Sequence, residues 1–97
     1  MAAPATIRDM LTVFEVYLAP SADPTQLLSD EARRETQAQV MTRQEAVAVG
    51  FSGIQPDSSG LEMRLIAVNS RDKAWIHRVL ETNEAVARFR VHEDVDV

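Results

Sequence analysis

Apolar positions along this chain alternate at a spacing of two in some stretches and three to four in others, and the changes of period mark out its elements. Met10–Leu18 is rich in β-branched and aromatic residues and contains no Gly or Pro, which predicts a strand. Alternation places Phe14, Val16 and Leu18 on one face and Val13, Glu15 and Tyr17 on the other. Ala19–Pro24 is a turn with a proline at each side of small residues. Thr25–Gln44 is dominated by Gln, Glu, Ala and Arg and predicts a helix with a thin apolar stripe. Glu45–Ile54 predicts a second strand, with Val47, Val49 and Phe51 on one face. The composition also allows the first helix to run on as far as Val49.

Gln55–Gly60 is a turn, and Leu61–Val68 a third strand with Met63 and Leu65 on one side and Glu62, Arg64 and Ile66 on the other. Asn69 or Ser70 can cap a second helix, whose stripe of Ile76, Val79, Leu80, Val86 and Phe89 extends to Phe89, with a possible break at Thr82–Asn83. Arg90–Val97 alternates Val91, Val95 and Val97 with His92, Asp94 and Asp96, the pattern of an edge strand. Residues 1–9 are expected to form a loose arm on a single domain spanning 1–97.

Strand–helix–strand–strand–helix–strand is the order of a split βαβ, or ferredoxin-like, α+β sandwich: a four-stranded antiparallel-rich sheet with two helices on one face. The expected strand order is four–one–three–two. The helix side then holds Phe14, Val16, Leu18, Val47, Val49, Phe51, Met63, Leu65, Ile76, Val79, Leu80, Phe89 and Val91. The uncovered side holds Val13, Glu15, Tyr17, Arg64, Ile66 and His92, a mixture suited to contact with another protein. Glu15 and Arg64 are expected to pair across it.

Charge and chemistry narrow the function by exclusion. Ten basic against fifteen acidic residues give a net charge of −5, which disfavours phosphate backbones. Only Tyr17 could stack a base on the uncovered face. Met41–Ser52 resembles the first helix and turn of a helix-turn-helix, but Gly53–Gly60 cannot supply the recognition helix. There is no cysteine and no apolar run of spanning length, so no membrane contact and a cytoplasmic location are the default. No catalytic set, cofactor motif or metal cluster stands out: of His92-Glu93-Asp94-Val95-Asp96, only alternate residues share a face. His77 is expected on the solvated side of its helix, and Trp75 as a partly buried packing residue.

These features lead to an acidic, non-enzymatic protein-interaction module, whether adaptor, regulatory subunit or inhibitor, that binds a protein partner or itself as a homodimer. The alternative is a dimeric α+β barrel in which two uncovered faces enclose a small-molecule or catalytic pocket. Tyr17, Arg64 and His92 would line that pocket, with His92 as acid or base.

Overall fold

A computed structural model describes residues 11–48 and 60–95, with the side chains of 93–95 left aside. It is a mixed α+β fold: β1 (Leu11–Leu18), α1 (Asp30–Thr36), β2 (Gln39–Met41), α2 (Arg43–Ala48), β3 (Met63–Asn69), α3 (Lys73–Thr82) and β4 (Val86–Val95), with short 3-10 turns at Pro24–Gln26 and Ser70–Asp72. The four strands form one sheet in the order β2-β3-β1-β4, and every neighbouring pair is antiparallel.

β1 fits the sequence pattern and sits at the centre, with β3 on one side and β4 on the other. Seven of its eight residues are buried, because both of its faces are covered. Phe14, Val16 and Leu18 face the main core, which they share with Leu27, Leu28 and Ala32 around α1, Ile66 and Val68 of β3, and Ile76 and Leu80 of α3. A smaller cluster on the other face joins Val13, Met41 and Leu65 to Ala46 of α2.

The expected long helix over Thr25–Gln44 is divided into several pieces. The Ser29 hydroxyl caps α1 by accepting from the Ala32 amide at 3.0 Å. Gln37, at φ 57°, ends the helix in the left-handed region that a glycine usually occupies. The chain then runs as β2 against β3, pairing Val40 with Ile66. Thr42 and Glu45 next form a reciprocal capping box: the Thr42 amide donates to Glu45 Oε1 at 2.8 Å and the Glu45 amide to Thr42 Oγ1 at 3.1 Å. They open α2, so Glu45–Ala48 is helical where a strand was expected, and Val47, expected in the core, is exposed. The rest of that expected strand, with Val49 and Phe51, lies outside the described residues, as do the 1–9 arm and most of the Gln55–Gly60 turn.

β3 corrects a second expectation. Phe14 pairs with Ile66 and Val16 with Arg64, and directly opposed residues share a face. Arg64 and Ile66 therefore lie on the α1/α3 side, and Met63 and Leu65 on the other. α3 also ends earlier than expected, at Thr82, so Val86 and Phe89 belong to β4.

Asn83 fixes that end. Its side-chain amide donates to the Gln26 and Leu27 carbonyls at 3.0 and 3.1 Å, and its oxygen accepts from the Ala85 amide at 2.8 Å. One residue thus ties the loop before α1 to the α3–β4 corner. Asn83→Ala is expected to cost about 1–3 kcal/mol in chemical denaturation, since it leaves part-buried backbone groups without partners. A variant with an unchanged midpoint would mean that water replaces those bonds freely.

Candidate functional site

The sheet face opposite α1 and α3 carries a polar cluster built on β1. Val13, Glu15 and Tyr17 share this face, and the rungs place His92, Arg90 and Arg88 of β4 directly beside them in turn. His92 reaches across two rungs, putting Nε2 2.9 Å from Glu15 Oε1. The Tyr17 hydroxyl donates to the other carboxylate oxygen, Oε2. Arg88 lies over the Tyr17 ring, 5.0 Å from its centroid.

Glu15 is 1% exposed, an unusual position for a carboxylate in a small domain. Burial pushes its carboxyl up, but hydrogen bonds from Tyr17 and His92 and the charge of Arg90 more than offset this, leaving it below its ordinary value. Burial pushes the Tyr17 hydroxyl up, and its bond to the Glu15 carboxylate pushes it further. Of Glu15, Tyr17 and His92, only His92 reaches solvent appreciably, with a third of its side chain exposed. The arrangement can therefore hold an imidazole in a fixed orientation, with the carboxylate behind it and the phenol bracing the carboxylate.

Of the six residues expected on an uncovered face, Val13, Glu15, Tyr17 and His92 are brought together and Arg64 and Ile66 are not. Val13, Glu15 and Tyr17 are also buried, so they cannot form a bare docking surface. Glu15 does not pair with Arg64, whose guanidinium instead meets Glu62 at 2.6 Å on the other side of the sheet. Arg88 was hidden from sequence reasoning because it was placed in the second helix, while Arg90, at the start of the expected last strand, was not assigned to the face it shares with His92. The signal that could have found them is the alternation Arg88, Arg90, His92 after the break at Asn83.

A second feature lies on the α1/α3 side. Phe14 and Val91 line a cleft of about 380 Å³ together with Lys73, Ala74, His77, Arg78 and Glu81. His77 is not purely a solvated residue. Its ring meets Phe89 edge-on at 5.1 Å and Phe14 at 6.4 Å, while its Nδ1 lies 3.4 Å from Glu81. Trp75 is 40% exposed, more than a packing residue would be.

Among the described residues, no group of three or more metal-ligating side chains lies together, and no helix is long and apolar enough to cross a membrane. No family model matches this chain, and no curated protein or solved structure matches it either.

Proposed function

We propose that this protein is a non-enzymatic interaction module that binds a protein partner through the outer edge of β4. One observation carries the reading: β4 is ten residues long, yet among the described residues, in the order β2-β3-β1-β4, it pairs with β1 alone. Its other side presents backbone donors and acceptors that an added strand can satisfy. The opposite edge, β2, has only three residues and offers much less.

The ferredoxin-like reading of the sheet is part of this proposal. Counted from the β4 edge, the order is four–one–three–two, which supports it. Strand two comes from Gln39–Met41, and α2 is an addition on the second face. That addition counts against a barrel formed by stacking two bare sheet faces.

Affinity capture with the purified chain should return one stoichiometric protein, and amide exchange on the complex should show new protection at alternate residues of β4. Protection confined to other surfaces, such as that around Trp75, would remove the edge from consideration.

A further inference from the structure

We propose that the cleft between α3 and β4 binds a small aromatic carboxylate, with its ring on the rung of Phe14 and Val91 and its acid group on Arg78. This goes beyond the edge reading above, because it concerns the α3 side of the sheet and needs no added strand.

α3 presents two adjoining stripes. Ile76 and Leu80 are buried in the main core. Ala74, His77, Arg78 and Glu81 recur at helical spacing beside them and line the cleft. Its floor is one rung of the ladder, Phe14 on β1 directly opposite Val91 on β4. Ala74 is the smallest side chain of the stripe, and between it and that rung the cleft measures about 380 Å³. That volume is within the range of small-molecule sites, as is the combination of an apolar body with a few polar groups.

Three rings meet at the cleft and favour an aromatic occupant. His77 packs edge-on to Phe89 at 5.1 Å and to Phe14 at 6.4 Å, and the two phenylalanine rings lie 6.0 Å apart. A further flat ring laid on Val91 extends this group through the same tilted and edge-to-face contacts, which a branched aliphatic ligand cannot make.

Charge decides the other end of the ligand. The Glu81 carboxylate already lies 3.4 Å from His77 Nδ1. Lys73, which also lines the cleft, already has a partner and takes no part. Among the described residues the Arg78 guanidinium meets no carboxylate. It is the group left at the cleft to hold an anion, and its planar fork matches a carboxylate through two parallel hydrogen bonds. An amine in the same place would meet a like charge.

The test titrates the full chain with 2-naphthoate and with its neutral counterpart 2-naphthamide, reading affinity by calorimetry and location by chemical shifts. Saturable binding of the naphthoate is expected, with shifts centred on Ala74, His77 and Val91, and the naphthamide is expected to bind about tenfold more weakly. R78Q should bring the acid down to the affinity of the amide. A74L should fill the cleft and abolish binding of both, with a thermal midpoint near the parent's because Ala74 is exposed on its helix. Equal affinity of the parent for acid and amide would overturn the carboxylate, as would a parental preference retained in R78Q. Binding that survives A74L, shifts centred elsewhere, or no saturation by either probe would overturn the cleft as a ligand site.

Discussion

Phe14→Asp is expected to abolish cooperative folding. Phe14 is 1% exposed on the central strand, flanked by Ile66 on β3 and Val91 on β4. Its ring packs against Phe89 at 6.0 Å, and it belongs to the cluster that unites α1, α3 and the sheet. Truncating such a ring costs about 3–5 kcal/mol, and an unpaired carboxylate in its place adds several more. A domain of this size has a total stability of about 5–15 kcal/mol, so the sum removes most or all of it. Loss of near-UV circular dichroism and of a sigmoidal urea transition would show this directly. Ile66→Asp should behave alike, because Ile66 lies in the same cluster and is fully buried. Val47→Asp is the control: Val47 is 51% exposed on α2, and its substitution should stay within about 0.5 kcal/mol. A cooperative Phe14→Asp protein with a parental midpoint would mean that the main core lies elsewhere.

The contrast between Phe14 and Ile66 shows where the sequence was legible. β1 could be read from its pattern because its span of β-branched and aromatic residues ends at a proline-bracketed turn. Its two faces are also distinguishable by the polar Glu15 and Tyr17. β3 carries a misleading marker: its charged Arg64 shares the α1/α3 face with Ile66 and Val68, while Met63, Leu65 and Ala67 on the other face are all apolar, because a central strand is covered on both sides. Only the pairing partner fixes its facing, and that information is non-local.

The Thr25–Met41 stretch was misread for a different reason. Gln37 takes up a left-handed conformation that nothing in its chemistry announces, so the end of α1 carried no stop signal. Ser29 and the Thr42-Arg43-Gln44-Glu45 box cap the starts of α1 and α2, whereas composition runs Thr25–Gln44 together as one helix and the alternation of Val47, Val49 and Phe51 reads as a strand. The site was half legible as a result. Glu15, Tyr17 and His92 were placed on one face by alternation and strand order, whereas Arg88 depended on knowing that α3 stops at Thr82.

Glu15 provides the other large effect, through pH. Its folded carboxyl titrates below the unfolded reference of 4.5. A depressed carboxyl contributes stability that is present above the unfolded value and is lost as pH falls through the folded one. Acidification from near neutral into that range should therefore lower the melting temperature of the parent more steeply than that of Glu15→Gln, which has no carboxylate to protonate. At neutral pH the ranking reverses, with Glu15→Gln the less stable protein because His92 and Arg90 lose their anionic partner. Parallel pH profiles for the two proteins would show that the carboxylate is not held by its neighbours.

The Tyr17 hydroxyl isolates the hydrogen-bonding share of this effect. Tyr17→Phe leaves a buried carboxylate one donor short and should cost about 1–3 kcal/mol at neutral pH. In a Glu15→Leu background the same change should cost close to nothing, and the double variant should recover part of what Glu15→Leu loses. Removing both members of a buried polar pair is far less damaging than stranding one of them. If the two single losses simply add, Tyr17 and Glu15 stabilise the sheet independently, and the cluster beside His92 does not act as a unit.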